Sequence, residues 1–368
     1  MEGPRAARPE EIEDLTDLVD TIFGFSYYQH DYMVAGMRRD VMQTGHAMFD
    51  GGKPVSYILS HDTAFSLCGC TTHVTSVGCV GTREDYRNQG LAGTILTHHI
   101  ARARAAGVRL MLVSGSRPLY TRNHCVYTNL ASWAKLTPDQ FPAPAEGLSI
   151  RRVTLDDWPT LAPLYQAEPA HFVRPADVEQ HLCFWWNCGG SRLWLVEYQG
   201  EPVAYVELAV PRDPARTGRY VQEYAGSRAA LLGAVPLLFA ENGGSEIAWG
   251  VLRQDRELRL QLTRLGIPLA EGPISGTVRL LDLPGLMSDL RDYVAARLAP
   301  PELAQLSFGQ EGDACRFAFA GEELQLDPSA AVRIVLGSPD APQVEGELGR
   351  VLNRLFPLPT IQPGLNYV

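Results

Sequence analysis

The sequence predicts a chain of mixed α+β and α/β character, with two successive mixed-sheet units followed by a small α+β domain. Three observations predict it. In the first third, an apolar strand pattern at 75–82, a glycine-bearing turn, a helical stripe over 91–106 and an apolar strand at 108–113 follow one another. The opening of that first unit, an acidic helix start followed by a hairpin, recurs after residue 148. Between the two copies, residues 136–147 are Pro-rich and polar, the composition of a domain boundary.

The first unit spans 1–140. Pro9, Glu10, Glu11 and Asp14 suit the first turn of a helix, where an N–H has no partner and acids face the positive end of the dipole. Leu15, Leu18, Val19 and Ile22 give that helix an apolar stripe. Asp50-Gly51-Gly52-Lys53 forms the turn of a hairpin between strands at 47–49 and 54–59. A strand at 74–82 precedes the turn. Leu91, Ile95, Leu96, Ile100 and Ala103 then recur at helical spacing, and Gly107 ends the helix.

The second unit spans 148–283. Its strand and helix start at Ile150 to Pro159 and its hairpin, 192–198 with 202–208, repeat the first unit. The turn before the helix is not repeated: Leu231 stands where a close-approach glycine should be, and its side chain would obstruct a phosphate. The third unit, 284–368, shows helical patterns at 286–298, 329–336 and 344–356, and strand patterns at 305–308 and 315–319. It ends in an apolar, proline-stiffened tail, 356–368, which is expected to dock.

The candidate site lies in the first unit. Arg87, Gly90 and Ala92 fit the spacing Arg/Gln-x-x-Gly-x-Gly/Ala. At a helix N-terminus this spacing gathers backbone N–H groups around one point, where the dipole favours an anion. Small residues let a phosphate approach, and Arg87 adds a charge-assisted hydrogen bond. The bare pattern arises by chance about once in a chain or two of this length, so its weight comes from the flanking strand and helix. There is no G-x-x-x-x-G-K-[ST], and no G-x-G-x-x-G with an acid after the next strand, which argues against P-loop and dinucleotide sites.

Composition narrows the classes further. A formal charge of −10 over 368 residues argues against non-specific nucleic-acid binding and suits a cationic partner. No apolar run is long enough for a membrane span, and the N-terminus lacks a signal-peptide core, so a cytoplasmic protein is expected. The seven cysteines are irregularly spaced, which fits free thiols. Cys68-Gly69-Cys70 has no second pair at ligand spacing, and His98 and His99 are adjacent on a helix, so no metal is expected.

The segment from Val80-Gly81-Thr82 through Thr94 resembles the acetyl-coenzyme A signature of the GNAT acetyltransferase superfamily. The resemblance implies a bulged strand whose free backbone groups pair with the pantetheine arm, with Val80 and Thr82 facing it and Gly81 between them. It also implies that Arg87, Asn88, Gln89, Gly90, Leu91, Ala92 and Gly93 wrap the pyrophosphate of acetyl-CoA, the co-substrate. A complete GNAT unit, a degenerate one and a sterol-carrier-protein-like domain together resemble the enhanced-intracellular-survival acetyltransferases, which modify aminoglycosides and other amines.

Acetyl transfer needs a polarised thioester, a neutral amine and a proton for the leaving thiolate. By the same resemblance, Tyr120 falls on the family's general-acid tyrosine; a packed core tyrosine is the alternative. The family's Gly-aromatic pair is replaced here by His124-Cys125. Tyr127 could fill the missing aromatic's space or itself donate. Cys125 as nucleophile would give a ping-pong route, with no recognisable His–acid pair behind it. The resemblance also places the chain's C-terminal carboxylate, here that of Val368, at the acceptor site as base. The same tail suits plain packing, and an exposed apolar tail would favour a homo-oligomer. The resulting expectation is an acetyl-CoA-dependent N-acetyltransferase acting on a small amine. The alternative is a non-catalytic acyl-CoA or lipid-binding sensor.

Overall fold

A computed structural model describes residues 1–24, 45–141, 143–174, 192–210, 218–274 and 276–366. They cluster into two compact units: Met1–Asn129 with Ser275–Leu358, and Leu130–Ile274 with Pro359–Asn366.

The first unit opens with β1 (Glu2–Arg5), α1 (Ile12–Phe23), β2 (His46–Asp50), β3 (Lys53–Leu67), β4 (Cys70–Thr82), α2 (Leu91–Ala105) and β5 (Leu110–Val113). Its sheet runs β1-β2-β3-β4-β5 and then strand Thr277–Leu280. Neighbours are antiparallel except β4 and β5, which run parallel with α2 as the crossover. The two faces of the sheet are buried separately. Leu15, Leu18 and Val19 of α1 pack on Ala47, Phe49, Tyr57 and Leu59. Ile95, Leu96, Ile100 and Ala103 of α2 pack with Met48, Val55, Ile58, Val77 and Met111. Helix 1 crosses the end of β4 closely: a Cβ on Gly81 would come within 2.6 Å of Ile22 Cδ1.

The boundaries at 140/148 and 283/284 do not follow the strand pairing. Leu130–Leu136, expected within the first unit, pairs with Ile247–Leu252 and Leu269–Pro273 in the second sheet. Thr277–Leu280, expected in the second unit, pairs with β5. The four residues of β5 are buried and leave an open sheet edge, which buried Thr277–Leu280 covers. Residues from 283 to 358 cluster with the first unit and do not form a separate body. They hold a three-stranded antiparallel sheet, Leu306–Glu311, Ala314–Phe319 and Glu322–Leu326, and helices that include Pro328–Leu336 and Gly346–Leu355. The helix expected over 286–298 is broken at Leu290 into Leu283–Asp289 and Arg291–Ala295.

The second unit's sheet orders its strands Leu269–Pro273, Leu130–Leu136, Ile247–Leu252, Arg219–Gly226, Glu201–Ala209, Arg192–Tyr198 and Leu148–Arg152. Arg192–Tyr198, Glu201–Ala209, Arg219–Gly226 and Ile247–Leu252 run in the same relative directions as β2, β3, β4 and β5. The apolar tail docks as expected. Thr360, Ile361 and Leu365 are buried, and Thr360 exchanges hydrogen bonds with the Gln254 side chain at 2.8 and 3.0 Å. Among the described residues, no helix is long and apolar enough to cross a membrane.

Candidate functional site

The site forms where β4 leaves its neighbour. β4 pairs with β5 only over Val74–Val77 and Leu110–Val113. Beyond Val77 the strand continues to Thr82, and among the described residues no strand pairs with it on the β5 side. On its other side the register against β3 steps from Tyr57↔Gly81 to Leu59↔Gly78. One residue of β3, Ile58, therefore opposes two of β4, a bulge at Cys79–Val80 in which Cys79 takes φ 44°. The bulge thus lies in the part of β4 that, among the described residues, pairs with no strand on the β5 side.

The chain then turns through Glu84–Tyr86 into α2. Asn88 (φ 62°) and Gly90 (φ 77°) are both left-handed, a course that turns nearby N–H groups toward one side. Gly90 is the N-cap, and a Cβ there would meet nothing within 4 Å, so its backbone conformation selects glycine and crowding does not. The first helical bond is Thr94 N–H to Gly90 O at 3.0 Å. Among the described residues, the N–H groups of Leu91, Ala92 and Gly93 have no protein acceptor. The first turn of α2 carries no acid, whereas the last holds Arg102 and Arg104. The positive end of the dipole is thus left without a countercharge from its own helix. Arg83 and Arg87 are exposed beside it.

The turn is braced by residues the motif does not include. The Tyr86 hydroxyl donates to Asp50 at 2.7 Å and holds that carboxyl below its ordinary range. Ser56 donates to the Gly81 carbonyl at 3.2 Å and shares a 2.8 Å hydrogen bond with Thr82. These contacts depend on the β2–β3–β4 register, which no local pattern encodes.

Tyr120 lies in the short helix Pro118–Thr121, with its ring against Gly115. It is 6% exposed and shares a core cluster with Val77, Val113 and Cys125, against which Val80 and Leu119 also pack. The bulged strand and Tyr120 therefore meet in one cluster, while Tyr127 is 51% exposed. Cys125 is enclosed, and burial pushes its thiol up to about 12, which disfavours the thiolate a nucleophile needs. His124 is 3.1 Å from the Ser329 hydroxyl. His98 is exposed and His99 buried. Among the described residues no group of three His, Cys, Asp or Glu is placed to hold a metal ion. Val368 lies outside the described residues.

The equivalent turn of the second unit is blocked, but not by Leu231. That side chain is fully buried in the core with Val206 and Leu208. The entrance to helix Arg228–Gly233 is instead held by Arg228, which donates to both oxygens of Glu168 at 2.6 Å and to Asp255 at 2.8 Å. A groove of about 650 Å³ lies there, but Glu168, Asp255 and Glu257 line it and oppose a pyrophosphate.

Residues 4–125 match the family model of the acetyltransferase (GNAT) domain. No curated protein matches the sequence. Among solved structures, a GCN5-related N-acetyltransferase from Anabaena variabilis aligns over 97% of this chain and 96% of its own, at 13% identity and TM-score 0.68. One from Kribbella flavida aligns over 95% and 96%, at 14% identity and TM-score 0.66. Eis1 from Mycobacterium abscessus aligns over 99% of both chains, at 14% identity and TM-score 0.63. The chain shares the fold of these proteins along nearly its whole length.

Proposed function

We propose that the protein is an acetyl-CoA-dependent N-acetyltransferase whose cofactor site is the β4–α2 turn of the first unit. One observation carries the proposal: β4, bulged against β3 and past its pairing with β5, runs directly into the start of α2, where among the described residues three N–H groups have no protein acceptor. An open strand edge suits the amide-bearing pantetheine arm, and a helix start without acids suits the pyrophosphate. Acetyl-CoA supplies an acetyl thioester already activated toward amines. In this reading Val80, Gly81 and Thr82 hold the arm and orient the carbonyl. Arg87 to Gly93 hold the pyrophosphate. The amine nitrogen forms a bond to the acetyl carbon as the C–S bond breaks, and Tyr120 gives its proton to the departing sulfur. The base is the α-carboxylate of Val368, whose unperturbed pKa of about 3.5 leaves it ionised.

The second unit is, in this account, a degenerate copy whose Arg228 network excludes a second cofactor. Residues 284–368 are read as the sterol-carrier-protein-like part. Cys68, Cys70, Cys79, Cys125 and Cys315 are free thiols, which fits the reducing cytoplasm.

Two experiments test the reading. Calorimetry with acetyl-CoA is expected to give one site per chain. Gly90→Val should weaken that binding about tenfold or more, because a β-branched residue resists φ 77° and would reshape the turn. Deleting Tyr367 and Val368 should lower kcat toward amines and leave acetyl-CoA affinity unchanged; unaltered kinetics would remove the tail from the mechanism. Tight acetyl-CoA binding with no thiol release on any amine would instead favour an acyl-CoA sensor, a reading that the His124-Cys125 departure keeps open.

A further inference from the structure

The second unit buries two glutamates directly opposite one another. Glu207 on strand Glu201–Ala209 is the register partner of Glu223 on Arg219–Gly226, and the two are 0% and 1% exposed. Like charges at opposed positions destabilise a sheet. Only one of the pair is compensated. Glu223 accepts four hydrogen bonds: two from Arg174 at 2.9 and 2.6 Å, one from the Tyr205 hydroxyl at 2.6 Å and one from the Leu365 N–H at 2.8 Å. A third guanidinium donor, Arg174 Nε, goes to the Asn366 side-chain oxygen at 2.7 Å. Arg174 also lies over the Tyr165 ring, 3.6 Å from its centre.

Glu207 receives none of this. Among the described residues, neither of its oxygens has a hydrogen-bond partner, although both are completely buried. A buried carboxyl with two unmet acceptors costs several times what an ordinary hydrogen bond returns. The adjoining cluster does not relieve it: the bonds of Arg174 go to Glu223 and Asn366, and none reaches Glu207. With Glu207 ionised, Arg174, Glu223 and Glu207 together carry one negative charge too many.

We propose that Glu207 is the anchor of a cation site in the second unit, which takes the primary ammonium head of a small amine. An ammonium supplies the missing charge and up to three N–H donors, enough for both Glu207 oxygens. Complete burial restricts the ligand to a narrow head on a slender stem. A metal ion is a poorer fit, since among the described residues no third His, Cys, Asp or Glu joins the two glutamates.

The site has a built-in proton signature. Burial first, and then the Glu223 charge, push Glu207 well above the ordinary carboxylate range, so without a cation it holds a proton. The groups around it are Glu223, Arg174, Tyr205 and Tyr165, and burial also raises both tyrosines, which stay neutral. Cation binding therefore releases the Glu207 proton, and affinity rises with pH.

The test is titration calorimetry of the full chain with n-butylammonium chloride, without acetyl-CoA, so its outcome is independent of acetyl transfer. The proposal expects saturable binding, a heat that differs between phosphate and HEPES, neither of which carries a primary ammonium, in the sense of proton release, and affinity about tenfold or more weaker in Glu207→Gln. The proton release is read on the unaltered protein, so the test holds even if the variant folds poorly. Absence of binding, equal binding by Glu207→Gln, or binding without proton release would overturn the site.

Discussion

Tyr120→Phe is expected to lower kcat for amine acetylation by about 100-fold or more, with the dissociation constant for acetyl-CoA held within about twofold. The substitution is selective because of where the ring lies. At 6% exposure, in a cluster with Val77, Val113 and Cys125, the ring's packing survives in phenylalanine and only the hydroxyl is lost. A general acid acts on the departing thiolate and not on the bound ground state, so the loss belongs in kcat. Stopped thiol release together with calorimetry separates the two quantities. Full activity in the variant would make Tyr120 a core residue and return the proton donor to Tyr127, which at 51% exposure is otherwise poorly placed to work in a dry site. Tyr127→Phe is the matching control and should leave kcat nearly unchanged.

The second large effect is on stability. Arg174→Met leaves Glu223 buried without its main partner and facing Glu207 across the strand pair. Breaking a buried pair in this way costs about 3–5 kcal/mol, because the remaining charge is uncompensated. It also frees Asn366 from its 2.7 Å contact and so loosens the tail. The double variant Arg174→Met, Glu223→Leu removes both charges and should recover most of the loss. Urea unfolding of the single and double variants gives the comparison. A single variant as stable as the parent would mean that the pair adds nothing to the folded state.

The sequence displayed the local parts of the molecule well. The stripe Leu15, Leu18, Val19 placed α1, the Asp50–Lys53 turn placed the first hairpin, and Arg87-x-x-Gly90-x-Ala92 placed the start of α2, because each is fixed by neighbours within a few residues. What it hid depends on pairing at long range. Leu130–Leu136 and Thr277–Leu280 carry no local signal of which sheet each will join. The family resemblance implies a bulged strand, but that the bulge falls at Cys79 shows only in the register step against β3, and the Tyr86–Asp50 brace only once β2 lies near the turn. In the second unit the sequence signalled a blocked turn through the wrong residue. Leu231 faces the core, and Arg228 closes the turn with acids that come from residues 168 and 255. Glu207 and Glu223 each look like a polar residue on the outer face of a strand; their burial follows from the helix and tail that cover that face.

The central claim is that the β4–α2 turn delivers an acetyl group to an amine. The most direct measurement incubates the full chain with acetyl-CoA and a panel of aminoglycosides, polyamines, simple amines and lysine peptides, and reads acetylated products by mass alongside released thiol. The account predicts at least one amine gaining an acetyl group in step with thiol release, with both lost in Gly90→Val. Acetyl-CoA bound at the turn while no amine on the panel is acetylated would contradict it.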